Sequence, residues 1–110
     1  MRDELTQIQV LRSAKSLARR TFRGNRSTLK SKEKHIENVA IAIYERWRIG
    51  PHDWQAKHIR WLLERHLASR SRGTKYRYFL IIRKVLIELN KWLNFKPYLD
   101  GSWTSPKVLI

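Results

Sequence analysis

Apolar positions recur every three or four residues along most of this chain, and the intervening stretches carry residues that stop and start helices. Leu5, Ile8, Leu11, Ala14, Leu17 and Ala18 mark one face of a helix predicted from about Asp3 to Thr21. Arg23-Gly24-Asn25-Arg26-Ser27 breaks that period. Gly24 suits a C-terminal cap because it accepts a left-handed backbone, and Ser27 or Thr28 suits the next N-cap because a hydroxyl can take an orphan amide N–H. A second helix is predicted from about Thr28 to Arg48, with Leu29, Ile36, Val39, Ala40, Ile43 and Trp47 at helical spacing. Gly50-Pro51-His52-Asp53 stops it, and Asp53 is expected to cap a third helix from about Trp54 to Ser69. That helix places Ile59, Leu62, Leu63, His66 and Leu67 on one side. After Arg70-Ser71-Arg72-Gly73, Thr74 is expected to cap a fourth helix running from Lys75 to about Leu93. Tyr78, Phe79, Ile82, Val85, Leu86, Leu89, Trp92 and Leu93 form its apolar stripe, widened by Leu80, Ile81 and Ile87, which predicts a central helix with neighbours on more than one side. Beyond Asn94 the period fails. Pro97, Gly101 and Pro106 mark a loop or linker, although Phe95, Tyr98, Leu99 and Trp103 offer apolar surface that can fold back. No repeat and no strand alternation of useful length is present, so the expected fold is all-α, a compact bundle of four to five helices.

Composition adds a partner to this picture. At 110 residues, 42% hydrophobic and 11% aromatic, the chain can bury one core, which argues against global disorder. Its formal charge is +15, from 24 Lys and Arg against 9 Asp and Glu. Self-repulsion at that charge opposes a compact state unless a polyanion is near, so nucleic acid is the leading partner and an anionic membrane surface the second. The absence of cysteine excludes disulfides and thiolate metal sites. Apolar runs such as Tyr78 to Ile82 reach only five or six residues, and the start of the chain has Asp3 and Glu4 but no apolar segment. Neither a membrane span nor a signal peptide is expected, which leaves a cytoplasmic location as the simplest reading.

The charge is unevenly placed. Arg12 to Lys34 holds nine basic residues and one acid, Glu33, while Arg65 to Lys84 holds seven basic residues and none. Both zones centre on a loop leading into a helix, at Ser27-Thr28 and at Gly73-Thr74, where free backbone N–H groups and a partial positive charge favour phosphate. Hydroxyls at Ser27, Thr28, Ser71 and Thr74 can add contacts to phosphate oxygens. The competing reading is that Lys and Arg merely solvate the outer faces of a bundle. Five tryptophans invite thoughts of base stacking, yet Trp47, Trp61 and Trp92 fall in helical patterns that suit a core. Trp54 is expected near the first position of the third helix, stapling it to the bundle. Tyr76 and Tyr78 flank Arg77, with either hydroxyl in reach of phosphate or Tyr78 in the core. The four histidines make no metal signature, since His58 and His66 are eight apart with no acid to complete a set. No nucleophile, Gly-rich phosphate loop or Ser/His/Asp order stands out. No metal, no cofactor and no catalysis by this chain are expected.

The ordered pattern resembles the N-terminal core-binding, SAM-like domain of tyrosine recombinases, the integrases of phages and mobile elements. The resemblance runs from about Ser27 to Leu93. Ser27-Thr28 opens a helix ending Tyr44-Glu45-Arg46-Trp47, and a short Gly50-Pro51 turn follows. Trp54-Gln55-Ala56-Lys57-His58-Ile59 and then Ser71-Arg72-Gly73-Thr74-Lys75-Tyr76-Arg77, an S-x-x-T junction before a long helix, look most like prophage-type integrases. The resemblance implies one half of a clamp around duplex DNA at an attachment or core site. The catalytic half, with its Arg, Lys, His-x-x-Arg and Tyr machinery, would follow through a linker. Here no His is followed by Arg three places on, so that half is expected to lie outside this chain. The implied division is a basic helical segment over 1–25, a core-binding bundle over 26–95 and a linker over 96–110. Its implied partners are duplex DNA, the protein's own catalytic domain and other protomers in a synaptic complex, in the bacterial cytoplasm and at the nucleoid when bound. Carried over by position, the second and fourth helices face the major groove, which points to Arg26, Ser27, Thr28, Lys30 and Lys34, and to Arg72, Thr74, Lys75, Arg77 and Tyr78. Arg23 and Arg70 join them from the basic zones. The segment Arg12 to Arg23 is richer in charge than the clamp needs, so it either contacts DNA separately or adds a helix outside the usual bundle. Two other classes share the composition. One is an RNA-binding or ribosome-associated helical protein. The other is a module whose basic face meets an acidic protein or a lipid surface.

Overall fold

Thr6 opens the first helix with a complete capping box. Its hydroxyl accepts from the Gln9 N–H at 3.2 Å, and Gln9 Oε1 accepts from the Thr6 N–H at 2.8 Å. The computed structural model describes residues 6–22 and 26–104, and over these the chain is helical, with no strand. Contacts divide it after Trp54 into two compact units, each described by itself. This division is one of packing. The segments 1–25, 26–95 and 96–110 are divisions of role.

The first unit is a hairpin of two long helices. Helix α1, Gln7–Thr21, buries Val10, Ala14, Leu17 and Ala18, and it stops at Phe22, whose N–H reaches the Ala18 carbonyl at 2.9 Å. The predicted start at Asp3 and the predicted cap at Gly24 lie outside the described residues. Helix α2, Arg26–Trp47, starts two residues earlier than the sequence predicts, so Ser27 and Thr28 fall inside its first turn. It buries Ile36, Val39, Ala40, Ala42, Ile43 and Tyr44. Lys15 Nζ lies 3.7 Å from a Glu37 oxygen, and Lys32 Nζ lies 4.9 Å above the Phe22 ring. These two pairs fix an antiparallel register in which α1 runs along α2. Arg48 ends α2 in the left-handed region, at φ 58°, with its N–H on the Tyr44 carbonyl at 2.7 Å and its guanidinium 5.0 Å from the Tyr44 ring centre. A 3₁₀ turn, Pro51–Asp53, then packs against α1.

The second unit is assembled from shorter pieces. Helix α3, Ala56–Trp61, is capped by Gln55, not by Asp53, which sits in the preceding 3₁₀ turn. It runs into a π-helical turn, Leu62–His66, closed by the Leu67 N–H on the Leu62 carbonyl at 3.0 Å. Ile59, Leu62, Leu63 and Leu67 are inside as the period predicts, but His66, in the π turn, is outside, and His58, one α-helical turn before Leu62, is buried with them. His66 is exposed and its ring lies 5.4 Å from that of Trp61.

Helix α4, Arg72–Glu88, buries Phe79, Ile82, Val85 and Leu86, a narrower stripe than its composition predicts, and leaves Ile87 53% exposed. It ends before Leu93 because Asn90, at φ 58°, forms a Schellman close: the Asn90 N–H reaches Ile87 O at 3.0 Å and the Lys91 N–H reaches Leu86 O at 2.8 Å. Asparagine tolerates that conformation better than most residues. A single-turn helix, α5, Trp92–Phe95, follows, with Trp92 edge-on to Phe79 at 6.1 Å and Leu93 82% exposed. The stretch predicted as linker is folded as far as Thr104. Turns at Lys96–Tyr98 and Ser102–Thr104 bring Leu99 and Trp103 to 1% and 3% exposure, and the Trp103 indole N–H donates to the Leu99 carbonyl at 2.8 Å. Arg60 bonds both Glu64, at 2.7 Å, and the Tyr98 carbonyl, at 3.1 Å, tying α3 to this returning segment.

Candidate nucleic-acid interface

The start of α4 gathers most of the second basic zone. Ser71, not Thr74, is the N-cap: its Oγ accepts from the Thr74 N–H at 3.2 Å and donates to Thr74 Oγ1 at 3.0 Å. Ser71 is thus engaged locally, while the Thr74 hydroxyl keeps its own proton to donate. Arg72 and Gly73 occupy the first two helical positions, whose N–H groups have no partner in the preceding turn of the helix. Gly73 is not there for want of room, since a Cβ would meet nothing nearer than Ser71 Oγ at 4.0 Å. Arg70 is exposed in the turn before the helix, Arg72, Thr74, Lys75 and Tyr78 are half-buried, and Arg77 is exposed. At 100° per residue, Arg77 lies away from the buried stripe while Lys75 lies over it, so the cations ring the end of the helix and do not line one face. The first turn holds no acid. Cations at a helix N-terminus oppose the macrodipole, each by roughly 0.3–1 kcal/mol, a cost that a bound anion reverses.

The start of α2 is the counterpart in the first unit, and its first turn also lacks an acid. Arg26, Ser27 and Thr28 form that turn, with side chains outside what the structure describes, and Arg23 lies outside the described residues altogether. Lys30 and Lys34 are both exposed, one turn apart on the same side. The two predicted clusters therefore fall on different units, each intact within its own.

A third basic surface was only half seen in the sequence. Arg12, Lys15, Ser16, Arg19 and Arg20 line a shallow groove along α1. The charge of this stretch was evident, but its alignment on one side emerges only once Val10, Ala14, Leu17 and Ala18 are known to point the other way. A helical wheel over Gln7 to Thr21 carries the signal.

Elsewhere the chemistry is structural. His58 is 4% exposed, and its Nδ1 accepts from the Gln55 N–H at 2.9 Å, so the ring is neutral and holds the start of α3. Burial, helped by the neighbouring Lys57 charge, lowers its pKa below the usual 6.5. Trp54 is buried, whereas Trp47, Trp61 and Trp92 are half-buried. Among the described residues no group of three or more His, Cys, Asp or Glu stands together to hold a metal, and no helix is long and apolar enough to cross a membrane. Compared with protein-family models, curated proteins and solved structures, the chain shows no match, so its reading rests on its own residues.

Proposed function

We propose that this chain is a duplex-DNA-binding domain, and that it serves as the core-site-binding part of a tyrosine recombinase or integrase of a phage or mobile element. In that role it positions DNA for strand exchange by a catalytic domain elsewhere in a longer protein and carries out no chemistry itself. The observation that carries the reading is the start of α4. Arg70, Arg72, Lys75 and Arg77 surround a helix N-terminus with no acid in its first turn, an arrangement that opposes the fold and favours phosphate. The start of α2, with Lys30 and Lys34, supplies the second contact, and Arg side chains at either start are suited to guanine edges in a major groove. The recombinase identity is the finer part and rests on the resemblance between Ser27 and Leu93.

A salt titration of binding to duplex DNA and to structured RNA of equal length tests it. With about six phosphate contacts, log affinity for duplex falls with log salt at a slope of about −5 or steeper. A clear preference for RNA, or an affinity indifferent to salt, overturns the proposal.

A further inference from the structure

Helix α1 is fifteen residues long and carries no acid between Gln7 and Thr21. Its buried face lies along α2. Opposite that face, Arg12, Lys15, Arg19 and Arg20 fall within an arc of about 140°, at 100° per residue. The groove they line contains one other residue, Ser16, and no apolar side chain. All four cations are exposed, and Lys15 alone approaches a carboxylate, Glu37 at 3.7 Å; Arg12, Arg19 and Arg20 are paired with no acid among the described residues. A merely solvated helix face gains from alternating Glu and Lys one turn apart. This one instead sets Lys15 a turn from Arg19, and Arg12 three places before Lys15, like against like. Arg19 and Arg20 suit the C-terminal dipole of α1, but Arg12 and Lys15, in the middle of the helix, gain nothing from it.

Spacing identifies the partner. Arg12 to Arg20 covers about 12 Å of helix at 1.5 Å per residue. A duplex strand presents one phosphate about every 3.4 Å of its axis, so that length faces roughly three or four phosphates. Inserting into a membrane requires a free apolar face, and the apolar face of α1 is already packed on α2. Protein interfaces set Arg anchors beside buried Trp or Tyr at the centre of the patch, and this groove offers no aromatic side chain to go with its arginines. We infer that the outer face of α1 is a separate phosphate-binding surface, which lies along the backbone of a nucleic-acid duplex and adds to the contact made within the same unit by the start of α2, without reading sequence. The inference rests on the proposed duplex binding.

The test compares the unaltered chain with R12Q/R19Q/R20Q on a random-sequence duplex of 30 base pairs, over a salt series. Loss of about three phosphate contacts makes the log–log slope shallower by roughly 2.5 to 3 and weakens binding at least tenfold at low salt. The factor is the same on any duplex sequence, and helicity by circular dichroism is unchanged. R12K/R19K/R20K, which keeps the charge, keeps the slope. If the unaltered chain binds steeply with salt and the Gln variant binds with the same slope, the α1 surface is refuted while duplex binding stands. If the unaltered chain shows no salt-dependent duplex binding, both readings fall. If the Gln variant loses binding only to phosphatidylserine vesicles, the surface belongs to a membrane and the inference is wrong.

Discussion

Both units are strongly basic, but helix α1 of the first and helix α4 of the second carry their charge in opposite ways. In the first, α1 spreads four cations along the side of a long helix, and the two nearest its end, Arg19 and Arg20, lie where the dipole welcomes them. In the second, α4 crowds Arg72, Lys75 and Arg77 around the end where the dipole repels them, on a helix held by a short α3, a π turn and a returning C-terminal stretch. A charge placed at no cost to the fold says little about selection for binding. A charge placed against the fold says more, which is why the start of α4 carries the functional proposal while the α1 stripe needed its spacing to say anything.

The comparison breaks most decisively under charge reversal. R72E/K75E/R77E is expected to weaken duplex binding at least a hundredfold, yet to raise thermal stability, because the acids replacing Arg72 and Lys75, in the first turn of α4, each gain about 0.3–1 kcal/mol from the dipole. R19E/R20E has the opposite stability sign, since acids then sit at the C-terminus of α1. Binding isotherms beside melting curves read both signs, and an equal loss of binding from reversing Lys91, Lys96 and Lys107 would show the proposed face to be wrong. The second unit's dependence on its short pieces is sharpened by Gly101→Ala. The added Cβ would lie 2.4–2.7 Å from three ring carbons of Trp103, whose indole is buried. Chemical denaturation should show a loss of about 2 kcal/mol, with the returning segment released from α4 and no cation altered.

Acid gives the smallest effect. Folded His58 has the lower pKa, so as pH falls the unfolded chain takes up its proton first. Stability conferred by this residue is complete above about pH 6.5, declines as pH drops below that, and stops declining once the folded ring has also titrated. His58→Gln keeps an acceptor for the Gln55 N–H and should flatten this part of the curve. If the unaltered chain and the variant show the same pH dependence of unfolding, the imidazole does not hold α3.

The helical nature of the chain and much of its core were legible in the sequence because a period of 3.6 is written directly in Val10, Ala14 and Leu17, or in Ile36, Val39, Ala40 and Ile43. Helix ends were harder. The apolar period runs unbroken through Leu89, Trp92 and Leu93, so it conceals a helix stop that depends on a single Asn90 backbone angle. The exposure of His66 goes with one extra residue in the π turn, which no period records, whereas the burial of His58 was open to the ordinary period, since it stands one turn before Leu62. Trp103 and Leu99 were visible as apolar residues able to return, but prolines and glycines around them read equally well as linker. Of the proposed site, the clustering of charge at two loops was plain. The capping role of Ser71 in place of Thr74 was not, since both are good caps three residues apart and only geometry chooses between them.

The π turn at Leu62–His66 has a consequence for chain length as well as for side chains. Glu64, Arg65 and His66 are all exposed, so their identities are open to exchange. Their number is open to a change of one as well. A π turn spends five residues on a circuit that an α-helix closes in about four, so removing one of the three would leave an ordinary α turn with Leu67 four places after Leu62 and still on the core side. At this place the molecule carries one residue more than its packing requires, and a deletion here is expected to do less harm than one inside α4.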